Sequence, residues 1–165
     1  MNGIPYSTWQ KNDSESVYDF PSANIPICNI TNSVRFCYGL RRLNLNYNGA
    51  IIRVRRSRDN AELNIHLDQF GKLDIKTLQD FCQSGNGFVT TWYDQSGNGY
   101  NQVQGTASAQ PLIISNGTLI TQNGLPIIST AVNRSMLCTT TDFDWANPMS
   151  MLVVHRTDIS LVKQF

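Results

Sequence analysis

The sequence predicts a mainly β protein built as a sandwich, and three observations carry that expectation. Residues 88–99, Phe-Val-Thr-Thr-Trp-Tyr-Asp-Gln-Ser-Gly-Asn-Gly, run an aromatic and β-branched strand into a turn of side-chain acceptors and glycines. Short apolar pieces at sandwich-like intervals follow it, with Asn116-Gly117 and Asn123-Gly124 as two-residue hairpin signals. Only 15% of residues are charged and 41% are apolar, in a chain rich in Asn, Thr, Ser and Gln. That balance suits an all-β or extracellular-type protein better than a helical cytosolic enzyme.

A chain of 165 residues fits one domain and can close a core without metals or disulfides. A net charge of +1 excludes bulk attraction to nucleic acid or to an anionic membrane surface. Seven of the nine arginines nevertheless fall between Arg35 and Arg58, which reads as a solvated face with buried stems rather than a polyanion site. The opening Met-Asn-Gly-Ile-Pro-Tyr has neither a basic start nor an apolar stretch, so no cleaved secretion signal is expected, and no run is long enough to span a bilayer. Cys28, Cys37, Cys82 and Cys138 lack metal-type spacing; paired and free thiols are both compatible with their number. The sequons at Asn12, Asn29, Asn116 and Asn133 carry little weight in so Asn-rich a chain.

Residues 1–30 are polar, broken by Pro5, Pro21 and Pro26, and show no period; with Tyr6, Trp9, Tyr18 and Phe20 spread along them they read as an extended arm that anchors elsewhere. Residues 31–165 then form the sandwich domain. From Asn32 to Leu43 the spacing of Val34, Cys37, Tyr38 and Arg41 predicts an amphipathic helix capped by Asn32 or Ser33. Ile51–Arg56 is a strand with Ile52 and Val54 against Arg53 and Arg55, and Leu63 with Ile65 marks its partner. Asp74 caps a second helix with Ile75, Leu78, Phe81 and Cys82 on one face, released by Gly85–Gly87. In the following strand Phe88, Thr90 and Trp92 alternate against Val89, Thr91 and Tyr93. Later strands are expected at Val103, Leu112–Ile114, Leu119–Ile120, Leu125–Ile128, Met136–Cys138 and Met149–Val154.

The succession Tyr38-Gly39-Leu40-Arg41-Arg42-Leu43, then Tyr47-Asn48-Gly49-Ala50-Ile51-Ile52-Arg53-Val54-Arg55-Arg56-Ser57-Arg58-Asp59-Asn60-Ala61, then Thr91-Trp92-Tyr93-Asp94-Gln95-Ser96-Gly97-Asn98-Gly99, resembles the opening of the α-L-arabinofuranosidase B catalytic domain. It is also similar to phage and bacterial surface proteins in which such a segment precedes a concanavalin A-like, LamG-type sandwich. The resemblance spans about residues 34–157 and implies a jelly-roll β-sandwich, to which the residue patterns add the two short helices and the N-terminal arm. It also implies that the two catalytic carboxylates lie further along the domain than this sequence reaches, so no catalytic residue carries over. Because the chain stops soon after Met151–Val154, either it is a fragment or partner subunits complete the sheet.

Glycoside hydrolysis needs two carboxyl groups across the scissile bond, roughly 5 Å apart for retention and more for inversion. Glu15 and Glu62 are the sole glutamates, while Asp142 and Asp144 sit two apart beside Trp145. Tyr100 and Trp145 are the expected stacking faces for a sugar ring, with Asp142 and Asp144 as its polar partners. Asp94, Ser96, Gly97, Asn98 and Gly99 read as a structural Asx-type turn, with Asp94 also free to hold an arginine of the Arg53–Arg58 strand. The same turn matches the first half of a calcium loop, but position twelve is Gly105 and the approach is a strand, so neither metal nor cofactor is expected. His66 and His155 read as ordinary residues, and Cys82 as core. These features together predict a non-enzymatic virion protein, a bacteriophage tail fibre, spike or capsid decoration, assembled in the host cytoplasm and exposed outside. Its expected partners are other virion proteins through the arm, further copies of itself and a cell-surface glycan, without nucleic acid. The alternative is an α-L-arabinofuranosidase-like hydrolase fragment.

Overall fold

The computed structural model describes residues 34–130, 133–138 and 153–154. The predicted arm, Asp142, Asp144 and Trp145, His155 and most of the Met149–Val154 strand lie outside them.

Strand β1 (Ile52–Arg56) exists because its apolar residues fall at every second position: Ile52 and Val54 are fully buried while Arg53 faces out. It pairs antiparallel with β2 (Glu62–Ile65), placing Ile52 opposite Ile65 and Arg53 opposite Asn64. Asp74 caps helix α1 (Ile75–Cys82), its carboxylate accepting from the Thr77 amide at 3.0 Å and the Thr77 hydroxyl at 2.6 Å. Leu78 and Cys82 are buried on its inner face. The chain then enters β3 (Gly87–Trp92), which lies between β1 on one edge and both β4 (Gln102–Val103) and β5 (Leu112–Ser115) on the other. Strand β6 (Thr118–Leu119) extends the sheet beyond β5, and β9 (Leu137–Cys138) extends it beyond β4. Among the described residues the result is a seven-stranded antiparallel sheet, joined by a separate ribbon of β7 (Thr121–Gln122) and β8 (Leu125–Pro126).

The mainly β, antiparallel expectation therefore holds. Both Asn-Gly pairs make their hairpins with positive φ at the two central positions, 48° and 77° at Asn116-Gly117 and 50° and 76° at Asn123-Gly124. The core is one cluster on the inner face of the sheet under α1, with Ile51, Ile52, Val54, Ile65, Leu78 and Val89 at its centre. Gly87 leaves room for the helix against the sheet: a Cβ there would sit 2.7 Å from the Cys82 sulfur and 3.2 Å from Val54.

Two expectations are corrected. Residues 34–43 are not helical; among the described residues the helical content is α1 and a 3₁₀ turn at Ala107–Ala109. The backbone of this segment bonds outward instead, Arg42 N to Gly71 O at 2.7 Å and Leu73 N to Leu40 O at 3.1 Å, with Arg41 bridging Lys72. The alternation along β3 also fails, because Arg53 pairs with Thr91 while Val54 pairs with Val89. Thr90 is thus an extra residue, a β-bulge that turns Val89 and Trp92 toward one side and Phe88 and Thr91 toward the other.

Candidate functional site

Beyond β3 the chain makes a loop whose side chains hold the irregular segment 34–44. Asp94, buried, accepts from four donors: the amides of Cys37 (2.8 Å), Ser96 (2.9 Å) and Tyr100 (3.2 Å), and the Ser96 hydroxyl (2.6 Å). Gln95 is fully buried and satisfied on both ends of its amide. Its oxygen accepts from Leu43 N at 2.8 Å, and its nitrogen donates to Gly39 O at 3.1 Å and Arg41 O at 2.9 Å. Asn98 donates to the carbonyls of Val34 and Arg35, and Asn44 donates to Gln95 O. A helix over 34–43 would consume those same backbone groups internally, so the long-range partners take its place.

Gly97 and Gly99 adopt φ of 92° and 80°, the left-handed region the turn demands. The expected bond from Asp94 to an arginine is not made: its oxygens are taken by the amides and the serine, while Arg53 pairs with Glu62, Arg56 with Asp59, and Arg55 bonds Gln110 and Asn60. Among the described residues no three His, Cys, Asp or Glu side chains converge as a metal site.

Tyr100 lies beside this loop, half-buried, with its amide on Asp94 and its carbonyl accepting from the Tyr38 hydroxyl. Burial first, then the neighbouring Cys138 and Asp94, hold the Tyr38 phenol far above its ordinary pKa, so it remains a hydrogen-bond donor. Trp92 packs on the core and lies 5.7 Å from the Tyr38 ring, its indole N–H buried without a partner. Burial pushes the Cys82 thiol up to about 11, which makes it core and no nucleophile. Cys37 is disulfide-bonded, while Cys82 and Cys138 are free.

A second feature was not legible in the sequence. On the outer face of the sheet, Arg53, Glu62, Thr90, Thr91 and Gln104 line an open groove of about 420 Å³ with Val103. Arg53 Nε meets Glu62 Oε2 at 2.5 Å across β1 and β2. The Thr90 bulge is what brings two consecutive threonines to the same wall. The signal for it was the Thr-Thr pair opposite an outward Arg53, but strict alternation assigns those threonines to opposite faces.

The sequence matches the family described as alpha-L-arabinofuranosidase B, catalytic, over residues 22–127. Similar solved structures include an arabinofuranosidase complexed with arabinofuranosyl-α-1,2-xylobiose, at 29% identity over 41% of this chain and 14% of that one, with a TM-score of 0.38. A mutant GH54 α-L-arabinofuranosidase soaked with 4-nitrophenyl α-L-arabinofuranoside aligns at 28% identity over 42% and 15% of the two chains, with a TM-score of 0.39. A third, a GH54 α-L-arabinofuranosidase soaked with a cyclic sulfate inhibitor, aligns at 31% identity over 39% and 14%, with a TM-score of 0.36. The aligned part spans about a seventh of the length of these enzymes. No curated protein sequence matches the chain. The family match overturns the expectation of a non-enzymatic bacteriophage attachment protein and favours the hydrolase alternative. The matched region takes in the whole Asp94 loop, α1 and every strand from β1 to β8. Well over half of the sequence is covered, and the chain belongs to the α-L-arabinofuranosidase B catalytic-domain family.

Proposed function

We propose that this chain is the opening part of an α-L-arabinofuranosidase-type glycoside hydrolase, one that releases arabinofuranosyl groups from a saccharide. The observation that carries this reading is the family match across residues 22–127. Within it the Asp94 loop serves as a frame rather than as an acid or base. A carboxylate holding three amides and a hydroxyl has no free lone pair facing a ligand, whereas a general acid must present a proton to the leaving oxygen. In this reading Tyr100 and Trp145 offer faces to a sugar ring and Asp142 and Asp144 its polar partners, at residues whose types suit that task. The seven-stranded sheet is, on the same reading, one layer of a concanavalin A-like jelly-roll sandwich, supported by its antiparallel order and two-residue hairpins.

The test is the full polypeptide that carries these 165 residues, assayed on 4-nitrophenyl α-L-arabinofuranoside against the matched pyranoside. Turnover of the furanoside, weakened by Asp142→Asn or Asp144→Asn, is the expected result. A polypeptide that folds and hydrolyses neither substrate overturns the proposal.

A further inference from the structure

Asn-Gly recurs along the chain, and the fold holds its copies very differently. Asn48-Gly49, Asn86-Gly87, Asn98-Gly99, Asn116-Gly117 and Asn123-Gly124 fall among the described residues, while Asn2-Gly3 lies outside them. An asparagine before glycine carries its own nucleophile: the glycine nitrogen can close a five-membered ring on the side-chain carboxamide carbon, and no Cβ hinders the approach. Closure requires the carboxamide and the glycine N–H to be free to move. Four of the five pairs are restrained. Asn86 Oδ1 accepts from Asn116 N at 2.7 Å, and Gly87 is buried in β3 opposite Arg56. Asn98 Nδ2 donates to Arg35 O at 2.8 Å and to Val34 O at 3.1 Å. Gly117 N donates to Gly85 O at 2.8 Å, and its backbone packs on the Gln83 carbonyl, where a Cβ would sit 2.7 Å from the oxygen. Gly49 lies against the Tyr47 ring, whose hydroxyl clamps the loop by donating to Ala50 O at 2.7 Å.

Asn123-Gly124 is the exception. Both residues are exposed, Gly124 N makes no hydrogen bond among the described residues, and no atom lies within 4 Å of the place its Cβ would take. The one bond of the Asn123 carboxamide favours reaction instead of opposing it. Its Oδ1 accepts from Gln122 Nε2 at 3.1 Å. Attack at Cγ builds negative charge on that oxygen, and a donor already aimed at it stabilises the charge as it develops. The surrounding ribbon also opens easily: β7 and β8 have two residues each and pair with each other alone, and Pro126 brings no N–H to the ladder.

We propose that Asn123-Gly124 is a self-modifying site, at which the chain converts its own asparagine to aspartate or isoaspartate with Gln122 assisting. Hydroxide removes the Gly124 amide proton, the nitrogen bonds to Asn123 Cγ, and the Cγ–Nδ2 bond breaks as Nδ2 takes a proton from water and leaves as ammonia. The resulting succinimide is opened by water at either of its two carbonyls. No electrons are exchanged. The new carboxylate cancels the chain's net charge of +1, and the isoaspartate form adds a backbone methylene that breaks the pairing of Gln122 with Leu125. Ile120 N on Ile113 O and Ile127 N on Ile120 O hold the base of the ribbon, so the change stays at its tip. None of this depends on the hydrolase reading. The test is a time course at mildly alkaline pH on the polypeptide carrying these residues, folded in buffer and unfolded in urea, with each asparagine followed by fragment-ion mass spectrometry. In the folded chain Asn123 is expected to gain the amide-to-acid mass about tenfold or more ahead of the other four, the factor that one retained hydrogen bond supplies, and its rate to rise in proportion to hydroxide. In urea the five rates are expected to converge, since each asparagine has the same following residue. Gln122→Ala is expected to slow Asn123 about threefold in the folded chain alone. A folded-state rate at Asn116, Asn98 or Asn86 equal to that at Asn123 overturns the proposal, as does a lead for Asn123 that persists in urea. An unchanged rate in Gln122→Ala overturns the role given to that donor.

Discussion

Replacing Asp94 by alanine tests whether the loop after β3 is a frame. The substitution removes an acceptor from the amides of Cys37, Ser96 and Tyr100 and from the Ser96 hydroxyl. Leaving a buried donor without a partner costs about 1–3 kcal/mol, and the Cys37 amide, in a fully buried bond, suffers that cost in full. The Ser96 and Tyr100 donors sit at half-buried positions where water can replace part of the loss, so about 0.5–1 kcal/mol each is reasonable there. Together these give about 2.5–6 kcal/mol, a large share of the 5–15 kcal/mol typical of a domain. The assay is equilibrium urea unfolding followed by tryptophan fluorescence, with the disulfide of Cys37 left intact. Asp94→Asn, which keeps the shape and loses the charge, is expected to cost less than the alanine variant. A cost under about 1 kcal/mol for Asp94→Ala would refute the reasoning, because the unpaired Cys37 amide alone is assigned about 1–3 kcal/mol.

Three further outcomes follow from local geometry. Asp74→Ala is expected to lower stability by about 1 kcal/mol through loss of the α1 cap. The Thr77 hydroxyl and amide also hold the Asp74 pKa below its ordinary value, so this contribution is complete above the unfolded-state pKa and fades as pH falls through the folded one. Urea midpoints measured down an acid series therefore converge for the parent and the alanine variant. Gly87→Ala, which forces a methyl group against the Cys82 sulfur, is expected to cost about 1–3 kcal/mol in the same unfolding assay. Under native conditions iodoacetamide is expected to alkylate exposed Cys138 while Cys82 stays protected until the chain unfolds, read by peptide mass spectrometry.

Elements governed by neighbours in the chain were legible in the sequence. Asp74 with Thr77, the Ile52/Val54 alternation and the two Asn-Gly turns each act within a few residues, and each stands where its pattern put it. Elements governed by distant partners were not. The spacing of Val34, Cys37, Tyr38 and Arg41 is compatible with a helix, yet Gln95 and Asn98, more than fifty residues away, take the backbone groups a helix would need. A single extra residue in β3 likewise defeats any reading by period, because the bulge shows only in the register against β1. The groove inherits that difficulty: its walls come from four strands and two loop glutamines, joined by no local pattern.

The way Gln95 and Asp94 hold residues 34–44 sets an order on folding. That stretch has no hydrogen-bonded period of its own and meets its partners across a large sequence separation, so closing it costs loop entropy that only a finished β3 turn can repay. On that count the sheet is expected to assemble first and the strap to be laid over it last. During refolding, the amide of Cys37 will be among the latest to resist exchange with solvent, after those of β1 and β3 have closed.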